Sequence, residues 1–196
     1  KSIVKNIGNI YKGIMTALLF MCISHIAGAQ NCAVSTNALG WMSLGTINAE
    51  GSISVHKNIT LNAGFVANPW QMNTPTYVNL RNRQYGGHIG MKYWPWHSYS
   101  EWWVGAKIQY KNFEQLGLLS PNLMQGDAIG AGLSGGYAFL ISNNFNIDVG
   151  VGVWGGRLVR YREFDGPLEL QSRLIDVGPR NFVFLDNVMI SLVYIF

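Results

Sequence analysis

The last ten residues, from Asn187 to Phe196, constrain the fold more than any other stretch. Every even-numbered position is apolar, and the last of them is Phe196. The odd-numbered positions include the polar Asn187 and Ser191. Because successive side chains of a strand point to opposite faces, this period of two predicts a strand with one fully apolar face. Such a strand at the edge of a soluble sheet is open to aggregation. In a closed membrane barrel it pairs on both sides and faces lipid, and the alternative is the buried last strand of a soluble sandwich.

These ten residues resemble the C-terminal signal of bacterial outer-membrane barrels, in which a terminal phenylalanine follows apolar residues at alternate positions. The resemblance implies contact with outer-membrane lipid and recognition of the last strand by the barrel-assembly machinery. It also implies that Tyr194 and Phe196 lie at the membrane interface.

The first 29 residues have the features of a secretory signal peptide. Lys1, Lys5 and Lys12 make a basic start, an apolar run follows from Ile14 to Ile23, and residues 27–29 (Ala-Gly-Ala) give a small-x-small cleavage pattern. The apolar run is too short to span a bilayer. We therefore expect cleavage after residue 29, with residues 30–196 forming one exported outer-membrane domain.

The composition points to the same class of protein. Charged residues make up 12% of the chain and aromatic residues 13%, with 23 glycines, whereas soluble domains carry about 25% charge. The chain has 14 basic and 10 acidic residues, and loss of the leader's three lysines leaves it nearly neutral, which removes the case for nucleic-acid binding. The mature chain keeps only Cys32, so no intramolecular disulfide is expected. Low charge, many aromatic residues and glycines, and no apolar run of about 18 residues after the leader are typical of a membrane β-barrel.

Alternating polarity predicts eight strands. They are Ala33–Met42, Ile47–Val55, Ile59–Ala67, Gln84–Trp94, Glu101–Lys111, Asp127–Ile141, Phe145–Arg160 and Asn187–Phe196. The links after the second, fourth and sixth strands are short, and those after the third, fifth and seventh are long: 68–83, 112–125 and 161–184. Short periplasmic turns opposite long external loops predict an all-β, eight-stranded antiparallel transmembrane up-and-down β-barrel. A soluble lipocalin-like barrel is the alternative, because alternation alone does not identify the inward face.

If the polar face points inward, a network of six ionisable side chains fills the lumen together with Gln109. The candidates are Glu50, His88, Lys92, Glu101, Lys107, Gln109 and Asp148. Eight strands leave an interior just wide enough for side chains, and buried charges need opposite partners. We predict a structural plug of salt bridges in which Lys92 and Lys107 meet Glu50 or Asp148. The alternative is an ion path or narrow pore.

Tryptophans occur at or near the predicted strand ends. They include Trp70, Trp94, Trp96 and Trp102. Because tryptophan and tyrosine favour the bilayer interface, these residues predict an aromatic girdle together with Tyr194 and Phe196. Ordinary core aromatic residues are the alternative.

A lipid-modifying enzyme is the main functional rival, because some eight-stranded outer-membrane barrels act on lipids with a His/Ser/acid set. His97 precedes Ser98, but neighbours in a turn point apart and no acid is identifiable within reach. His56, His88 and His97 are scattered and lack metal-ligand spacing. We therefore expect no catalytic residues, no metal and no cofactor.

Several segments together resemble a family of small, uncharacterised outer-membrane proteins of gut anaerobic Gram-negative bacteria, catalogued as a domain of unknown function. They are TNALGW, NAEGSISVHKNITLNAGFVANPW, KYWP and IDVGVGVWGG. The resemblance runs from about Thr36 to Phe196 and implies a small OmpA/OmpX-like barrel. It also implies surface or fimbrial assembly proteins as possible partners. We expect a non-enzymatic outer-membrane protein whose loops serve surface assembly, adhesion or structural support.

Overall fold

The computed structural model describes residues 32–42, 45–69, 71–73, 79–116, 122–164 and 174–196. The described strands are β1 (Cys32–Asn37), β2 (Ile47–His56), β3 (Ile59–Asn68), β4 (Gln71–Asn73), β5 (Asn79–Tyr93), β6 (Glu101–Leu116), β7 (Leu123–Ser142), β8 (Phe145–Leu158), β9 (Arg162–Phe164), β10 (Leu174–Val177) and β11 (Arg180–Ile195). One short helix, α1 (Ala38–Met42), follows β1, and no helix in these ranges is long and apolar enough to cross a membrane. The expected signal peptide and Trp70 lie outside the described residues.

Eight of the strands close into one antiparallel barrel. The order around the wall is β1, β2, β3, β5, β6, β7, β8 and β11, and each strand pairs with the next. The ring is completed where β11 pairs with β1, from Ala33 opposite Ile195 to Asn37 opposite Ser191. The predicted eight-stranded antiparallel up-and-down barrel is therefore confirmed.

The three intervals predicted as long loops contain more strand than expected. Within 68–83, β4 forms a hairpin with the start of β5; within 112–125, β6 and β7 extend towards each other. Within 161–184, β9 pairs with β7 and with β10, and β11 begins seven residues earlier than predicted. At the start of β11, residues 182–185 are all apolar (Phe, Val, Phe and Leu). They therefore lack the period of two that identified the other strands.

The first predicted strand was wrong in its second half, because β1 ends at Asn37 and α1 follows. The Asn37 side-chain oxygen accepts a hydrogen bond from the Leu39 amide at 3.1 Å, as a residue capping a helix start does. The Trp41 indole N–H donates back to the Thr36 hydroxyl at 2.8 Å. These two contacts favour a turn of helix over continued strand.

The apolar face of the wall points outward and the polar face inward. The outward side chains of Val104, Ile108 and Leu133 are 59%, 59% and 65% exposed, whereas inward Thr60 and Asp148 are buried. This arrangement is the reverse of a lipocalin-like soluble barrel, which places its apolar residues inside. The structure thus identifies the inward face that alternation alone left open.

Aromatic residues bound the outward apolar face on two neighbouring strands. The outward row on β6 runs from Trp102 to Tyr110, and the row on β5 runs from Tyr93 to Tyr85. Each row covers nine residues, within the range of roughly 9–11 residues for a strand that crosses a bilayer. The outer wall therefore carries an apolar band with aromatic borders.

Glycines on the inward face make room for the indole of Trp103. A Cβ added to Gly136 would meet the Val149 carbonyl oxygen and would lie 2.8 Å from Trp103 Cζ2; one added to Gly150 would lie 2.9 Å from the same ring atom. The indole is 1% exposed, because it lies against these two backbone segments. Gly135, next in sequence but facing outward, has no atom closer than 3.5 Å to its added Cβ.

We expect Gly136→Ala to destabilise the barrel by about 1–3 kcal/mol, because the new methyl group must displace a packed ring or the neighbouring strand. The matched control, Gly135→Ala, should change stability by less than about 0.5 kcal/mol. The urea concentration at the unfolding midpoint, followed by tryptophan fluorescence, measures both. Equal midpoints for the two variants would contradict the packing described for Trp103.

Candidate functional site in the barrel lumen

Glu50 is the centre of a charged group in the lumen. Its Oε2 lies 2.8 Å from His88 Nε2 and its Oε1 lies 3.2 Å from Lys92 Nζ. Lys92 Nζ also lies 3.8 Å from Asp148 Oδ2, so one ammonium joins two carboxylates. This lower charged group (Glu50, His88, Lys92 and Asp148) brings together four of the six residues predicted for the lumen network.

The position of Gly64 explains how Glu50 and His88 meet although β3 separates their strands. Glu50, Gly64 and His88 are opposite one another across β2, β3 and β5. A Cβ on Gly64 would lie 2.5 Å from His88 Cε1 and 3.0 Å from His88 Nε2. The imidazole therefore lies over the glycine and reaches the carboxylate beyond it.

A second group of charged residues contains Lys107 and Asp186. Lys107 Nζ lies 2.5 Å from Asp186 Oδ2, and Gln109 Nε2 donates to Asp186 Oδ1 at 2.9 Å. Lys107 therefore pairs with Asp186 and not with either carboxylate that the sequence suggested. The pairing of β11 with β8 shifts register between Leu185 and Asn187, and Asp186 occupies this irregularity. A sequence pattern carries no signal for such a bulge.

For two further residues of β6, Glu101 and Lys111, the structure gives a different role in the lumen from the one predicted. Glu101 is exposed at the start of β6, with a positive φ of 61°, and is not among the ion pairs of the described residues. Lys111, which shares the inward face with Lys107 and Gln109, lines the lumen cavity instead. The alternation of the sequence places Lys111 on the same face as Lys107 and Gln109, but Lys111 was not included in the predicted network.

Three aromatic side chains close the lumen at the short-turn end: Trp94, Tyr99 and Trp103, here called the aromatic plug. The Trp94 ring centroid lies 5.8 Å from that of Tyr99 and 6.3 Å from that of Trp103, and all three side chains are buried. Lys92 Nζ lies 4.6 Å above the Trp103 ring, within the distance of a cation–π contact. The plug and the lower charged group are thus one continuous packed unit.

Side-chain amides fix the β5–β6 link that carries the plug. Asn58 Nδ2 lies 2.6, 3.2 and 3.0 Å from the carbonyl oxygens of Trp94, Pro95 and Trp96, and Asn146 donates to the Tyr99 carbonyl. The Trp94 indole N–H donates to the Thr60 hydroxyl at 3.1 Å. Trp94 therefore lies inside the barrel rather than at the outer border where the sequence placed it.

Four other aromatic residues of the predicted girdle point outward near the short-turn rim. Trp96, Trp102, Tyr194 and Phe196 are each half exposed or more. The Trp102 ring contacts Tyr137 edge to face at 5.2 Å, and Tyr194 contacts Phe196 in the same way at 5.0 Å. These contacts arrange the rings side by side along the lower border of the apolar band.

The neighbours His97 and Ser98 use different partners at the short-turn rim. His97 Nδ1 lies 2.7 Å from the Trp96 carbonyl oxygen, whereas the Ser98 hydroxyl donates to the carbonyls of His56 and Lys57 at 3.2 and 3.1 Å. Ser98 thus anchors the link to the β2–β3 turn. Within the described ranges, no group of three or more His, Cys, Asp or Glu side chains could hold a metal ion.

A hydrogen-bonded cluster lies at the opposite, long-loop end, beyond β8. The Tyr161 hydroxyl donates to Glu163 Oε2 at 2.7 Å, and Asn122 Nδ2 donates to Glu163 Oε1 at 2.8 Å. Burial, this hydrogen bond and the charge of Glu163 raise the pKa of Tyr161 to about 12. The hydrogen bonds from Asn122 and Tyr161 lower the pKa of Glu163.

Removing the Lys92 ammonium should destabilise the barrel strongly. Lys92→Met leaves the Glu50 and Asp148 carboxylates facing each other, and breaking a buried pair in this way costs about 3–5 kcal/mol. Lys57→Met, in the exposed β2–β3 turn, is the control and should change stability by less than about 0.5 kcal/mol. Urea unfolding midpoints measure the difference, and similar midpoints would show that Lys92 does not hold the lower charged group together.

The long-loop cluster should be visible in an alkaline titration. A pKa raised above the ordinary value of 10.0 means that neutral Tyr161 favours the folded state, so this stabilisation is lost as pH rises through about 12. Absorbance at 295 nm of the wild type minus that of Tyr161→Phe should show this late transition. Glu163→Gln should move it to lower pH and Glu114→Gln should not. A transition at the ordinary pH in the wild type would contradict the Tyr161–Glu163 contact.

Comparison with known proteins gives a family for the chain. No curated protein matches the sequence. One family model, described as "Protein of unknown function (DUF3575)", matches residues 14–196, which include every described element of the barrel. The chain therefore belongs to the DUF3575 family.

Proposed function

We propose that this protein is a non-enzymatic outer-membrane barrel whose long-loop end is displayed at the cell surface. The observation that supports this proposal is the outward apolar band, with its aromatic borders, around a polar interior. Exposed apolar side chains such as Ile108 and Leu133 are unfavourable in water and favourable against lipid tails. A closed ring of paired strands meets the further requirement that backbone polar groups be satisfied in the hydrocarbon region.

The closed short-turn end of the lumen supports a scaffold rather than a pore. Trp94, Tyr99 and Trp103 occupy the short-turn end, and the ion pairs of Glu50 and Lys92 lie directly above them. A conducting path would have to separate these pairs and move a ring that lies against the backbone of Gly136. The rigid wall therefore serves to hold the opposite end in place.

The long-loop end offers the surface for partners. There β9 and β10 extend the sheet above the apolar band, and they carry exposed side chains including Arg162 and Val177. Surface or fimbrial assembly proteins, or an adhesion target, are the partners proposed for this end. Outer-membrane lipid and the barrel-assembly machinery are the partners proposed for the band and for β11.

Cysteine labelling of intact cells tests the proposal. In a Cys32→Ser background, Val177→Cys places a thiol at the exposed long-loop end, and Lys57→Cys places one in the exposed β2–β3 turn at the other end. A membrane-impermeant maleimide should label Val177→Cys in intact cells. It should label Lys57→Cys only after the outer membrane is permeabilised.

Equal labelling of both thiols, or recovery of the protein in the soluble periplasmic fraction, would overturn the membrane position. The reverse labelling pattern would overturn the orientation. Heat-modifiable migration of the labelled bands on gels confirms that each variant is a folded barrel.

A further inference from the structure

A polar cavity of about 300 Å³ lies in the lumen above the lower charged group. Its lining rises from Lys92 and Glu50 through Lys107 and Lys111 to Thr46 near the long-loop end. At roughly 30 Å³ for each water molecule, this volume suits a small solute with a few waters. The cavity is therefore large enough for a ligand of the size of one oxyanion.

The carboxylates around this cavity already have cationic or amide partners. Glu50 uses one oxygen for His88 and the other for Lys92. Asp186 uses one oxygen for Lys107 and the other for Gln109.

Lys111 takes part in none of these ion pairs. Among the described residues, no carboxylate lies within ion-pair distance of its ammonium group. Lys111 lines the same cavity as Lys107 and Asp186, and the Asp186 carboxylate already pairs with Lys107. Lys111 is partly buried, and taking a charge out of water without a counter-charge is unfavourable. An anion in the cavity would supply the missing charge.

The barrel wall beside the cavity is interrupted. β1 pairs with β11 only from Ser191 to Ile195, because β1 ends at Asn37. Above that point α1 lies against β11 in place of a paired strand, and the Ile190 amide donates a hydrogen bond to the Asn37 side-chain oxygen at 3.2 Å. Gly40 of α1 and Met189 of β11 line the cavity directly behind this interruption.

We propose that the cavity binds a phosphate group, held by Lys111 and Lys107. An ammonium group binds phosphate oxygens through charge-assisted hydrogen bonds, and Lys107 has donors beyond the one used by Asp186. The phosphate has two possible sources: free phosphate from the aqueous side, or a lipid headgroup through the interruption between β1 and β11. Both present the same oxygens to the same two lysines.

The test uses the full-length mature protein in a detergent that carries no phosphate group, with inorganic phosphate as the probe. Isothermal titration calorimetry should show one binding site in the wild type. Lys111→Met should weaken binding about tenfold or more, because it removes one charged contact. Lys57→Met, which changes a lysine in an exposed turn, should bind as the wild type does.

A stability measurement covers the case in which Lys111→Met changes the fold. Phosphate should raise the urea midpoint of the wild type and of Lys57→Met, because it binds the folded state, and should leave that of Lys111→Met unchanged. Absence of phosphate binding by the folded wild type, or unaltered binding by Lys111→Met, would overturn the proposal. Short-chain phosphatidylglycerol that competes with phosphate identifies a headgroup as the source, whereas lack of competition identifies the free anion. These results do not depend on where the barrel lies in the cell.

Discussion

Closure of the wall between β1 and β11 is the pairing on which the rest of the structure depends. It turns a sheet that would have two free edges into a ring in which neighbouring strands satisfy one another's backbone groups. Only a closed ring has an inside, and only an inside can hold Glu50, Lys92 and Asp148 away from solvent while Val104 and Ile108 face outward. The apolar outer wall and the charged interior are therefore two results of the same closure.

The interior is built in layers along the barrel axis. Three aromatic rings close one end, a group of two carboxylates, a lysine and a histidine lies on them, and a second group around Asp186 lies nearer the long-loop end. Small inward residues decide where the large ones fit: Gly136 and Gly150 accept the Trp103 ring, and Gly64 lets His88 cross β3. The glycines of this chain are therefore part of the lumen packing as much as of the wall.

The sequence was informative wherever one face of a strand is apolar. That pattern located all eight wall strands and placed Lys92 on the polar face of its strand, because period-two alternation reports directly which side chains share a face. It failed where a register shift or individual side-chain hydrogen bonds decide the structure. Asp186 enters the lumen through a register shift, α1 replaces strand because Asn37 and Trp41 make local hydrogen bonds, and Trp94 turns inward because Asn58 holds its link. None of these contacts has a signature in the spacing of apolar residues.

The short pairing of β1 also has a mechanical consequence. β11 is bonded along nearly its whole length to β8, from Arg180 to Tyr194, but to β1 only from Ser191 to Ile195. β1 is also bonded to β2 over only four residue pairs, from Cys32 opposite Ile53 to Ser35 opposite Glu50. Under a sideways load, the two short seams of β1 separate first, and the ring opens at this strand while the other seven strands remain joined. The wall is thus anisotropic: stiff around most of its circumference, and compliant where β1 completes it.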